Sequence, residues 1–366
     1  MRLAIDASRT TVTRVTGTEH YAIQMIRELL RINDRHQLTL YFRDTPSRDL
    51  FPLDQIRRPD LVTRQVIPFP RAWTHARLST ALLKDRPDLL WVPAHTLPFA
   101  FPGQAVVTLH DLGYKVFPNA HPEQQRKYLD LTTRYSAKRA ALILADSQAT
   151  ADDLTSFYQT SPTKIRVVYP GINPPRINSI AEVRAKYNLP ERYFLFIGTL
   201  QPRKNIARIV QAFDQWKNTH RNERTALVLA GGKGWLFDPA WIEGVSDVIV
   251  PGYIQDDEKG ALYAGAVGLV FPSLYEGFGF PVLEAMLCGC PVIAAHTSSL
   301  PELVGDAALL VDPLDVGAIA DAMAQLSENP ALCADLTAKG RQQAKQFTWQ
   351  AAAARAMSIF ESMTGV

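Results

Sequence analysis

The chain has 366 residues, 47% of them hydrophobic and 20% charged, with a net charge of only +3. That length and apolar content suit two globular domains with sizeable cores, and no apolar run approaches the ~20 residues of a membrane-spanning helix. Three cysteines, Cys288, Cys290 and Cys333, are too few for a disulfide or zinc framework and read as reduced thiols of a cytoplasmic protein. Residues 1–170 hold 23 Lys and Arg against 16 Asp and Glu, whereas residues 171–366 hold 16 against 20. The basic half suits peripheral contact with an anionic membrane surface, a phosphate-bearing acceptor, or simply water. Without a Lys/Arg cluster interleaved with aromatics, a nucleic-acid partner is not expected. The first residues pass straight into a strand, with no secretory leader pattern.

Residues 2–6 read as that strand, 7–16 as a Thr-rich loop, and Gly17-Thr18 as the opening of a helix. Ala22, Met25, Ile26, Leu29 and Leu30 fall on one face of it. Strand, loop and helix make the first unit of an open α/β sheet, whose ligands collect at the carboxyl ends of the strands. No G-x-G-x-x-G follows, so a dinucleotide fold for NAD is not supported. Further strand-like runs are 37–42, 61–67, 89–92, 104–109, 141–145 and 165–169, with helical patterns at 73–84, 122–139 and 149–157. Asp146-Ser147 is a plausible cap for the last of these. His95 follows one strand and His110-Asp111 another, at the ligand-bearing edge; a lone histidine there is also compatible with a structural role. Pro170-Gly171-Ile172-Asn173-Pro174-Pro175 reads as a linker between domains.

The second half starts with a strand at 193–198 ending in Gly198. The following loop, 199–205, carries Arg203 and Lys204, a fork and a point charge that suit a diphosphate. Ile206, Ile209, Val210 and Phe213 then face inward from a helix. After a strand at 225–230, Gly231-Gly232-Lys233-Gly234-Trp235 has no Ser or Thr after the Lys and reads as a turn rather than a P-loop. A strand at 248–254 ends in Tyr253-Ile254, and Asp256-Asp257 read as a cap pair opening the next helix rather than as metal ligands.

The stretch Ser273–Met286 organises the rest. An apolar strand at 267–271 precedes it, and Pro281 is placed to start a helix that runs to about Cys288 and stops at Gly289. Between strand and helix, a glycine-containing loop allows close backbone approach, and a helix N-terminus is a ready anion site. Glu276 and Glu284 flank that phosphate-sized position without filling it. This suits a diphosphate with hydroxyl-rich groups at both ends, a nucleotide sugar; the alternative is a strand–turn–helix unit with two solvated glutamates. Strands at 291–295 and 307–311, a short helix capped by Thr297-Ser298-Ser299, and three final helices complete the chain.

Glu276 and Glu284, with Phe278-Gly279, Pro281 and Ala285, resemble the signature of retaining glycosyltransferases of family 4, the glycosyl transferases group 1. Thr-Leu-His110-Asp111-Leu and the loop from Gly198 to Asn205 are similar to that family as well. The resemblance implies the GT-B fold: two Rossmann-like domains with an interdomain cleft, and a C-terminal helix crossing back to the first. The N-terminal, acceptor-binding domain is then 1–171 plus 348–366, and the nucleotide-sugar domain 172–347. It implies His110, Glu276, Arg203 and Lys204 as catalytic. Donor contacts fall to Gly17, Gly198, Arg203, Lys204, Tyr253, Ile254, Glu276, Gly277, Phe278, Gly279, Phe280, Leu283 and Glu284, and acceptor contacts to Thr18, His95 and Asp111. No metal or other cofactor is expected, the nucleoside diphosphate sugar being a co-substrate. One departure is that many members carry Arg directly after the glycine, where this chain has Thr199; Arg203 is then the candidate guanidinium. The implied reaction is hexose transfer to a glycan or lipid-linked hydroxyl. The loop wording is similar to mannosyl- and rhamnosyltransferases of surface-polysaccharide assembly and leans to GDP-mannose, with UDP-glucose close behind. A sugar-nucleotide 2-epimerase and a non-catalytic sugar-binding protein are the other readings; a phosphorylase of this fold is usually much longer.

Overall fold

The computed structural model describes residues 1–12, 16–68, 73–120, 122–221, 223–234 and 236–365. Part of the first loop and Trp235 of the glycine-rich turn therefore lie outside the described residues. The chain forms two compact units: Met1–Lys115, Pro122–Gly171 and Thr348–Val366 make the first, and Val116–His121 with Ile172–Phe347 the second. The short segment from Val116 is the difference from a simple division at the linker. Its Phe117 ring lies 6.4 Å from that of Tyr275.

In the first unit, β1 (Arg2–Asp6), β2 (Gln37–Phe42), β3 (Val62–Val66), β4 (Leu89–Val92), β5 (Gln104–Leu109), β6 (Leu142–Ala145) and β7 (Ile165–Val167) form one sheet in the order β3-β2-β1-β4-β5-β6-β7. Every pairing is parallel. The second unit holds β8 (Arg192–Ile197), β9 (Thr225–Ala230), β10 (Val248–Gly252), β11 (Gly268–Phe271), β12 (Val292–Ala295) and β13 (Leu309–Val311), ordered β10-β9-β8-β11-β12-β13 and again all parallel. Parallel strands are covered on both faces, so they read as unbroken apolar runs such as Tyr193–Ile197, all buried. Both sheets are doubly wound: the strand order reverses between β1 and β4 in one and between β8 and β11 in the other. Ligand crevices open at such reversals, outside the carboxyl ends of the strands.

The helix Gly17–Ile32 follows β1 and buries Tyr21, Ala22, Met25, Ile26, Leu29 and Leu30, the face its periodicity marks. Glu19 closes its first turn by accepting from the Thr16 amide at 3.1 Å. The last helix, Trp349–Thr364, belongs to the first unit and buries Trp349, Ala353, Ala356 and Phe360. Its Trp349 ring meets Tyr21 at 6.0 Å and its Phe360 ring meets Trp91 at 5.8 Å. Arg35 and His36 both reach Glu361, at 2.7 and 2.8 Å.

Two cap readings are corrected. Asp256 and Asp257 lie in a turn, and the helix starts at Lys259. Asp256 pairs with Lys259 at 2.5 Å, and the cap residue Glu258 turns its carboxylate to Lys186 and Tyr187 instead. Ser299 precedes the helix Leu300–Val304 without capping it; its hydroxyl is used elsewhere, as described next.

Candidate functional site

In the second unit, the loops leaving β8 and β11 meet at the reversal point. The first is Gly198 to Asn205, with Pro202–Lys204 wound as a short 3-10 turn. Lys204 Nζ donates to Glu276 Oε1 at 2.5 Å, and Arg203 Nη1 donates to Glu276 Oε2 at 3.2 Å and to the Tyr275 carbonyl. The Lys204 ammonium also stands 4.9 Å from the centre of the Phe271 ring. Two cations therefore converge on one carboxylate at a strand edge. Burial acts to push the Glu276 pKa up, but Lys204 and then Arg203 outweigh it and hold the carboxyl below its usual range.

The loop after β11 is fixed by groups distant in sequence. Glu276 N–H donates to Ser298 Oγ at 3.0 Å, while Ser299 Oγ donates to the carbonyls of Glu276, at 3.0 Å, and Phe278. Asn205, at φ 64°, donates from Nδ2 to the carbonyls of Pro272 and Pro313 at 2.9 and 2.6 Å, tying both loops together. Gly279 sits at φ 150°, and a Cβ there would meet Leu300 at 2.8 Å, so only glycine fits this turn. The helix is Phe280–Leu287, with Pro281 second in it. Pro281 has no N–H, and the amides of Val282 and Leu283 donate to the Gly279 carbonyl. Leu283 is fully buried and can contribute nothing but packing through its side chain.

Glu284 is not part of the Lys204 cluster. It accepts from Tyr263 Oη at 2.8 Å, near Lys259. Burial pushes its pKa up, against Lys259 and the tyrosine hydrogen bond. Tyr253 is exposed and Ile254 is buried, so Ile254 offers a ligand its backbone only. The glycines read as a turn have a further use: Leu200 N–H donates to Gly232 O and Gly234 N–H to Leu200 O, both at 2.9 Å. A Cβ on Gly231 would fall 2.0 Å from the Gly198 carbonyl oxygen. These glycines let the end of β9 zip against the cation-bearing loop, beside Thr199.

The first unit has its own polar cluster at the ends of β4, β5 and β6. His110 Nδ1 donates to Asp146 Oδ2 at 2.6 Å and its Nε2 to the Pro93 carbonyl at 2.8 Å. Tyr21 and His95 both stand edge-on to His110, at 4.8 and 5.5 Å. With both ring nitrogens facing acceptors, burial, which would lower the His110 pKa, is overcome by Asp146, and the pKa is raised. Burial and the neighbouring His110 push His95 down to about 4. Asp111 turns inward on its own loop, Oδ1 accepting from the Gly113 amide at 2.9 Å. Gly17 and Thr18 form the first turn of their helix. Ser147, not Asp146, caps the helix Gln148–Tyr158. Among the described residues, no group of His, Cys, Asp and Glu is arranged to hold a metal ion.

Comparison with known proteins places both units. Residues 15–176 match the family described as Glycosyltransferase Family 4, and residues 179–343 match Glycosyl transferases group 1. The O-antigen chain mannosyltransferase B of Escherichia coli is 35% identical over 358 residues, covering 92% of this chain and 93% of that protein. The serotype-specific mannosyltransferase WbdA of Escherichia coli is 27% identical over 70% of this chain, which spans 33% of that longer protein. Sucrose-phosphate synthase from Thermosynechococcus elongatus superposes with a TM-score of 0.75 at 22% identity, covering 100% of this chain and 99% of that one. The Anabaena protein HepE, solved with UDP-glucose, superposes with a TM-score of 0.74 at 18% identity, over 99% and 100%.

Proposed function

The chain belongs to the family 4 glycosyltransferases, the glycosyl transferases group 1, and on that premise we propose that this hexosyltransferase moves mannose from GDP-mannose, with retention and without a metal ion, to a hydroxyl of a glycan or lipid-linked acceptor. The observation that carries the reading is the convergence of Lys204 and Arg203 on Glu276 where the β8 and β11 loops meet. The cations lie where a diphosphate would replace the carboxylate as their counter-ion. Mannose is favoured by the mannosyltransferase relative that aligns over nearly the whole chain.

In this scheme the bond from the sugar C1 to the diphosphate oxygen breaks, and the acceptor oxygen bonds C1 on the same face. The acceptor proton passes to the departing phosphate oxygen. Charge grows on the diphosphate as it leaves, so preorganised cations and loop amides there lower the barrier most. Arg203, Lys204 and the amides from Gly277 to Phe280, with Gly17 and Gly198 close to the phosphates, have that role. Glu276, released from the cations by the arriving diphosphate, accepts hydrogen bonds from the sugar and fixes its pose. Glu284, oriented by Tyr263, holds the ribose hydroxyls, and Tyr253 with the Ile254 backbone meets the base. His110 orients the sugar, and Thr18, His95 and Asp111 line the acceptor side.

A UDP-glucose donor is the second reading, favoured by the HepE structure that holds that ligand. A thermal-shift panel of GDP-, UDP-, ADP- and dTDP-sugars separates them. At roughly 100 times its dissociation constant, a bound donor adds about 2.7 kcal/mol of stability. Stabilisation by GDP-mannose, lost in Lys204→Ala, supports the proposal; stabilisation by UDP-glucose alone moves it to the second reading. A flat response to all four overturns the nucleotide-sugar assignment.

A further inference from the structure

The loop from Gly277 to Gly279 is buried, and buried backbone N–H groups are almost always paired. Among the described residues, however, the amides of Gly277, Phe278 and Gly279 reach no acceptor. The carbonyls of the same stretch are held, and by a single side chain. Ser299 Oγ, fully buried, shares its one proton between the carbonyls of Glu276, at 3.0 Å, and Phe278. Successive unpaired amides beside two pinned carbonyls form a cradle for an anion, kept in shape by a residue outside the loop.

Peptide geometry fixes which way those amides face. The peptides here are trans, and the C=O and N–H of a trans peptide point in opposite directions. With the Glu276 and Phe278 carbonyls on Ser299, the Gly277 and Gly279 amides point away from it. The preceding peptide identifies the far side. Its N–H, on Glu276, donates to Ser298 Oγ at 3.0 Å, and its carbonyl, on Tyr275, accepts from Arg203 Nη1. The two serines thus grip one side of the loop, and Arg203 meets the other. Ser298 holds this place at φ 54°, a left-handed conformation that a non-glycine residue keeps only where its surroundings impose it.

We propose that Ser299, assisted by Ser298, is a positioning residue. It aims the Gly277 and Gly279 amides at the donor diphosphate, on the Arg203 side, without touching the donor itself. The role rests on the nucleotide-sugar reading of the site, and one titration series keeps the two apart. GDP and guanosine, with UDP and uridine in parallel, are titrated into the wild type and three variants. Ser299→Ala should weaken the diphosphate about tenfold and leave the nucleoside within about twofold, because only the phosphate end loses its donors. Ser299→Cys fills a similar space with a poor donor and should bind as weakly as Ser299→Ala. Ser298→Gly suits φ 54° and should keep the wild-type melting temperature. It should still weaken the diphosphate about threefold, because the Glu276 amide loses its acceptor. That variant decides the matter should the Ser299 variants not fold. Unchanged diphosphate affinity in the folded variants overturns the proposal. So does an equal loss for diphosphate and nucleoside, which is general loosening, or wild-type binding by Ser299→Cys, which is packing. A wild type that binds neither diphosphate removes the nucleotide-sugar reading, and this role with it.

Discussion

Both units place a polar cluster at the carboxyl ends of their strands, the second at the reversal between β8 and β11 and the first at β4, β5 and β6, and the two clusters differ in their electrostatics. In the second unit, two cations hold a single carboxylate, which the proposed function makes exchangeable for a diphosphate. In the first, a buried histidine uses both ring nitrogens on Asp146 and the Pro93 carbonyl. Doubly wound topology thus fixes where a site forms and leaves its chemistry to a few loop residues.

The contrast breaks most sharply at Lys204. Lys204→Ala should lower kcat/KM by about 10³-fold, the scale of removing a preorganised charge-stabilising group, and erase the donor-induced thermal shift. Full activity in that variant would show that the cluster is only structural. His110→Ala should cost about 10²-fold in kcat, within the range for a positioned polar group, while nucleotide stabilisation survives. A parallel loss of nucleotide binding would mean that the two clusters are not separable.

Glu276→Gln tests the exchange idea and should divide two properties that usually move together. With the internal anion removed, free nucleoside diphosphate should bind about tenfold more tightly, equivalent to ~1.4 kcal/mol, while transfer falls because the sugar contact is lost. Isothermal titration beside initial rates reads both. Weaker diphosphate binding in this variant would sink the competition between Glu276 and the ligand.

The smallest effects are in the pH dependence of stability. The Glu276 pKa is lowered on folding, so its contribution is present above the ordinary glutamate value of 4.5 and is lost as pH falls through the folded value. That of His110 is raised, so its contribution is complete below the ordinary 6.5 and is lost as pH rises through the folded value. The stability gap between wild type and Glu276→Gln should therefore close toward acid, and that between wild type and His110→Ala toward alkali. Denaturant titrations across pH check this, and two gaps closing on the same side would contradict the pairing of signs.

Much of this was legible in the residues because the signals are local. Unbroken apolar runs mark buried parallel strands, and Gly and Pro punctuate their ends. Periodic leucines mark helix faces, and the spacing of Glu276, Pro281 and Glu284 lies within one loop and helix. What the residues did not reveal acts at long range. Ser299 reads as a cap for its own helix, but its hydroxyl supports carbonyls more than twenty positions earlier. Asp146 reads the same way and instead faces His110, 36 positions upstream. Tyr263 carries no motif, and Asn205, though it ends a recognised loop, does not announce its partners, which become neighbours only once the sheet is formed. The glycines from Gly231 to Gly234 were visible, but their use, close approach to the Gly198 loop, depends on β8 and β9 being adjacent.

The placement of the last helix also bears on how the protein is made. The chain leaves the first unit at Gly171 and returns at Thr348, and the two crossings run side by side. Ile172 N–H donates to Phe347 O at 3.0 Å, and a Cβ on Gly171 would lie 2.0 Å from the Trp349 nitrogen. The larger part of the second unit, Ile172–Phe347, is thus an insertion whose ends nearly touch, a geometry in which a domain can close on itself without its host. During synthesis its sheet is complete while the first unit still lacks the helix that covers Tyr21 and Trp91. The part that begins first on the ribosome is the part that finishes last.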